Sequence, residues 1–169
     1  MNYSVKNVKS FRGREGHGFN STLYRDNKRV AYVDDDANGG ECNYHWLDAK
    51  EPRVEVETTN WSGKSVIRKC TPEEAKFLNH IKGMIYTCQF TGDEHPMTED
   101  IFVCELVEAY EEIKQYKRWC RKQTCFRLKG DKEGAWRTVN APYDARVKAW
   151  VEKKYGDKVE EILNERFVA

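Results

Sequence analysis

The 169-residue sequence has no apolar stretch near the 18 or so residues a membrane-spanning helix requires, and its mean hydropathy of −0.87 agrees with that lack. It has only four Pro and eleven Gly, with no repeat, low-complexity run or Pro/Ser linker, so one folded domain spanning residues 1–169 is expected. The opening Met1-Asn2-Tyr3-Ser4-Val5-Lys6 lacks an apolar stretch followed by a small-residue cleavage site. The expectation is therefore a chain that no signal peptide exports, with its thiols kept reduced.

The six cysteines (Cys42, Cys70, Cys88, Cys104, Cys120 and Cys125) contain no Cys-x-x-Cys pair, and tetrahedral zinc in fingers and ribbons needs such close pairs. Half-buried free thiols are expected instead. Phosphate-loop, nucleophile-elbow, zinc-protease and dinucleotide-binding strings are all missing. The glycine-rich run Arg12-Gly13-Arg14-Glu15-Gly16-His17-Gly18 leads into strand-like sequence and not into a helix, so it reads as a connector. No catalytic residue, cofactor or metal is assigned on these grounds.

What is present is aromatic. Five Trp, nine Tyr and seven Phe accompany a net charge of only +1, the opposite of a disordered composition. Thr71-Pro72-Glu73-Glu74 combines an N-cap hydroxyl, a first-turn Pro and a capping-box Glu, which predicts a helix from there to about Tyr86. A longer helix is expected from Thr98 to about Lys122, its apolar stripe running through Phe102, Leu106, Ala109, Ile113, Tyr116 and Cys120 and widened by Val103, Val107 and Tyr110. A third helix follows Asp144, with Gly156 as its stop and a last short helix after Asp157.

Alternation on both sides of Asp26-Asn27 predicts a hairpin over Phe19–Val33, and residues 4–11 and 52–58 read as further strands. Residues 124–129 and 135–139 flank a turn-rich Gly130–Gly134 loop. The fold class is α+β, a mainly antiparallel sheet packed by about three helices on one face.

Charge is sorted into blocks. Residues 1–33 carry seven bases against two acids, 91–112 carry eight acids and no base, and 113–137 carry nine bases against two acids. In the last block Lys117, Arg118, Arg121, Lys122, Arg127 and Lys129 interleave with Tyr116, Trp119, Phe126 and Trp136. Cations and rings together suit nucleic-acid or anion binding, and a solvated hairpin face gives the same pattern. Asp34-Asp35-Asp36 with Asn38 has oxygen ligands for a divalent cation, but an EF-hand loop counted from Asp34 would need Glu where His45 stands. An acidic turn is the simpler reading.

Phe19 to Val33, continuing through Asn38-Gly39-Gly40 to Tyr44-His45-Trp46, resembles the N-terminal region of small uncharacterised bacteriophage proteins. Phe126 to Lys158 resembles their C-terminal part. The resemblance carries no known activity; it implies the cytoplasm of an infected bacterial host and a binding role, against a host protein or a small nucleotide signal. On that reading Asn38, Gly39, Gly40, Tyr44, His45 and Trp46 form a ligand-binding loop, since paired glycines let a backbone approach a ligand and the rings can stack. Two alternatives stand beside it: single-stranded nucleic-acid binding through residues 114–137, and metal-assisted nucleotide hydrolysis through Asp34, Asp35, Asp36 and His45. The sequence leaves the oligomeric state open.

Overall fold

The computed structural model describes residues 1–60 and 62–167. Its elements run β1 (Tyr3–Arg12), β2 (His17–Arg25), β3 (Lys28–Asp35), β4 (Asn43–Trp46), β5 (Val54–Thr59), β6 (Ser65–Cys70), α1 (Pro72–Ile81), β7 (Ile85–Thr87), β8 (Glu94–Pro96), α2 (Glu99–Cys120), β9 (Thr124–Leu128), β10 (Arg137–Val139), α3 (Ala145–Tyr155) and β11 (Val159–Ile162). The fold is α+β and its strands pair antiparallel. Two compact units are distinguishable, residues 1–110 and 111–169, where the sequence reading has one domain; the division falls within α2.

In the first unit β1 to β4 form a four-stranded meander. The β2–β3 hairpin turns on Asp26 and Asn27, both at positive φ (48° and 66°), the backbone that a two-residue loop needs to match strand twist. β5–β6 and β7–β8 are separate hairpins. The inner face of the meander (Tyr3, Val5, Phe19, Leu23, Ala31 and Val33) packs on Phe77 and Ile81 of α1 and on Val103 and Val107 of α2. Phe77 is its centre: the rings of Tyr3, Phe102, Trp46 and Tyr44 lie 5.0–6.4 Å from it. Arg25 closes one rim by gripping Glu73 through Nε (2.9 Å) and Nη2 (3.1 Å), and this holds the Glu73 carboxyl down at about 2.

The capping box at Thr71 forms as expected, with Glu74 N–H donating to Oγ1 at 3.2 Å. The helix, however, stops at Ile81 and not near Tyr86. Gly83 turns at φ +81° and Ile85, within the span expected to be helical, is 56% exposed on β7.

α2 begins as read, with Thr98 Oγ1 accepting from Ile101 N–H, but its stripe is rotated. The buried positions are Val103 and Val107, flanked by half-buried Phe102, Leu106 and Tyr110, so the buried arc is centred on the residues expected only to widen the stripe. Ile113, expected in the core, is 48% exposed: it sits on the edge of that arc, one turn beyond the last residue of the first unit.

In the second unit β9 is central, with β10 on one side and β11 on the other. Phe126, Leu128, Val151 and Ile162 form the core, joined by Tyr143, Val147 and Tyr155. Asp144 caps α3 through Val147 N–H (2.8 Å). The short helix expected after Asp157 is instead a 3₁₀ turn (Gly156–Lys158) that delivers Val159 into β11, because β9 offers that segment a free edge to pair with.

Phe77→Ala is expected to cost about 3–5 kcal/mol in chemical denaturation, whereas Ile113→Ala should stay within about ±0.5 kcal/mol. A large loss from Ile113→Ala would restore the original helix orientation.

Candidate functional site

The expected ligand loop is divided three ways by the geometry of β4. Asn38, Gly39 and Gly40 lie exposed between β3 and β4. Asp35 and Asp36 build the turn before them, their carboxylates accepting from Ala37 N–H (2.8 Å) and Asn38 N–H (3.0 Å). Gly39 is required by its φ of +75°; a Cβ there would meet only the end of the exposed Glu15 side chain, which can swing away.

Tyr44 and Trp46 stack on each other (6.0 Å, 11° between planes) but turn inward onto Phe77, so they serve the core and not the loop. Tyr44 donates from its hydroxyl to Asp100 (3.0 Å); burial pushes the phenol up and Asp100 with it. His45, on the opposite face of β4, is exposed, and its Nε2 lies 3.1 Å from Asp34. Asn43 Nδ2 donates to the same carboxylate at 3.0 Å. Among the described residues no three His, Cys, Asp or Glu side chains gather to hold a metal ion. Two further recesses beside Cys42 and Tyr44 contain Arg68, whose charge is met by Glu74 (2.9 Å) and Glu99 (2.5 Å).

The basic segment is also sorted by its partners. Phe126 is a core ring 5.2 Å from Tyr155. Arg127 is tied to Glu160 (3.1 Å) and sits over the half-buried Trp136 ring, while Arg137 grips Asp131 and holds that carboxyl down at about 2. Lys129 is exposed. Lys117, Arg118, Arg121 and Lys122, at the end of α2, pair with no acid among the described residues. Lys117 and Arg118 lie in the last turn of α2 and Arg121 and Lys122 in the turn that follows it, so all four gather at the end where positive charge complements the helix dipole.

Two of them open into a cavity of about 620 Å³ in the second unit, a size typical of small-ligand pockets. Lys117, Cys120 and Arg121 form one wall, Pro142 and Tyr143 a second, and Asn164, Arg166 and Phe167 a third. Burial pushes the Cys120 thiol up to about 11, with Cys125 beside it, so it is protonated at neutral pH and a poor nucleophile. Tyr143 donates to Glu165 (2.5 Å), which Lys148 also holds (2.7 Å), and Arg166 is bound by Glu161. Lys117 Nζ lies 5.7 Å from the centre of the Phe167 ring.

Asn164 fixes these walls. It is 2% exposed; its Oδ1 accepts from Cys125 N–H (2.7 Å) and its Nδ2 donates to the carbonyls of Cys120 (3.1 Å) and Gln123 (3.0 Å). Residue-type patterns do not reveal this role. The one available signal is an amide directly after Ile162-Leu163, an apolar context in which a buried polar group must find partners. Tyr143, Arg166 and Phe167 carry no sequence signal as site residues.

Asn164→Ala should lower stability by about 1–3 kcal/mol, since it leaves a buried N–H without an acceptor, and denaturant titration measures this directly. No protein-family model, curated protein or solved structure matches the chain.

Proposed function

We propose that the protein is a non-catalytic binder of a small phosphate-bearing, nucleotide-like ligand, held in the cavity of the second unit. The observation that carries this reading is the unneutralised charge of Lys117 and Arg121 on the cavity wall, where the neighbouring Arg127, Arg137 and Arg166 are each already held by a carboxylate. Two cations that pair with no acid among the described residues favour an anion, and the Phe167 ring with Pro142 gives an apolar surface for a base or ribose. Arg118 and Lys122, next to them at the end of α2 and in the turn after it, add long-range attraction for the same charge. The protonated state of Cys120 supports binding over nucleophilic chemistry. The resemblance to phage proteins supplies a setting in which a host nucleotide signal is the ligand.

Calorimetric titration of the protein with nucleoside mono- and diphosphates at low salt is expected to show binding that weakens as salt rises, and none with the parent nucleosides. The Lys117→Ala/Arg121→Ala variant should bind at least about tenfold more weakly, given about 1.5–3 kcal/mol per charged hydrogen bond lost. Equal binding by that variant, or none by the unmodified protein, contradicts the reading.

A further inference from the structure

The register of the four-stranded meander aligns a second set of residues that the cavity does not use. Lys6, Thr22, Tyr32 and His45 are successive partners across β1, β2, β3 and β4, and Lys9, Asn20, Asp34 and Asn43 form the next such row. Their sequence neighbours Val5, Leu23, Ala31, Val33 and Tyr44 belong to the core, so both rows lie on the outer face.

That face is not a uniform polar coat. Tyr32 is 42% exposed, the His45 side chain is 66% exposed, and they are direct cross-strand partners on this face. Arg29 Nη1 donates to Tyr32 Oη (2.8 Å), with its guanidinium carbon 5.4 Å from the ring centre, and so holds the hydroxyl edge of the ring. Asp34 fixes the His45 imidazole from the adjacent row. Lys6, Lys9 and Arg29 pair with no acid among the described residues, and the acid in the array, Asp34, is engaged by His45 and Asn43.

We infer that this outer face is a stacking platform for single-stranded nucleic acid, in which Tyr32 and His45 take a base while Lys6, Lys9 and Arg29 neutralise flanking phosphates. The charge balance selects this occupant: exposed rings bordered by unpaired cations match a chain of bases and phosphates, which every sequence presents alike. The platform stands independently of the nucleotide-binding cavity.

Fluorescence anisotropy with a labelled oligodeoxythymidylate at low salt tests it. The unmodified protein should bind this probe, and should bind an abasic oligonucleotide of the same length about fivefold or more weakly, because the rings then have nothing to stack on. Tyr32→Ala/His45→Ala should lose a similar factor for the thymidylate while keeping its denaturation midpoint; both side chains are exposed. Tyr32→Phe, which keeps the ring, should retain binding, and so should Lys117→Ala/Arg121→Ala. Absent binding, equal affinity for the abasic probe, or full affinity in Tyr32→Ala/His45→Ala would overturn the platform. So would binding that only the Lys117/Arg121 variant loses.

Discussion

The side-chain amide of Asn164 makes three hydrogen bonds to backbone groups on the connection between α2 and β9, and the cavity walls in the second unit depend on them. Each bond satisfies a group that the end of α2 or the start of β9 would otherwise leave without a partner in a buried place. Together they join the C-terminal segment carrying Arg166 and Phe167 to the end of α2 and the turn after it, which carry Lys117 and Arg121. Side-chain amides suit this task because one end accepts and the other donates twice. A carboxylate would repel the two carbonyls that Asn164 serves.

Charge pairing then decides which cations remain available. The protein carries 29 Lys and Arg against 28 Asp and Glu, so near-neutrality is reached in the sum but not locally. Arg25, Arg68, Arg127, Arg137 and Arg166 are each held by a carboxylate within 4 Å, whereas the end of α2 is not neutralised in this way. An unpaired exposed cation contributes little to stability. Its consequence is a local positive field, and on the proposed reading two such cations lining a cavity with an aromatic wall serve as its recognition surface.

Much of the fold is legible in the sequence wherever the deciding interaction is local. The Asp26-Asn27 turn, the Thr71 capping box and the Asp144 cap involve groups within four residues of each other, and all three form as read. The short strands β4 and β11 are illegible because their identity comes from partners: Asn43–Trp46 becomes a strand by pairing with β3, and Val159–Ile162 by pairing with β9. α2 is an intermediate case. Its N-terminal cap at Thr98 is local and correct, but apolar residues at 102, 103, 106, 107, 109 and 110 leave the buried axis ambiguous, and the sheet it packs on makes the choice. The site divides in the same manner. Lys117 and Arg121 are visible in the sequence as basic residues, while the acids that occupy Arg127 and the amide that anchors the cavity arrive from positions 160, 161 and 164.

The central claim is that a phosphate-bearing ligand sits between the end of α2 and the C-terminal segment. Backbone amide NMR during titration with a nucleoside diphosphate reads this most directly, because each residue reports its own surroundings. The account predicts saturable shifts concentrated at Lys117, Cys120, Arg121, Tyr143, Asn164 and Arg166. Saturable shifts confined to the Asn38-Gly39-Gly40 loop, or no saturable shifts at the cavity residues, would contradict it.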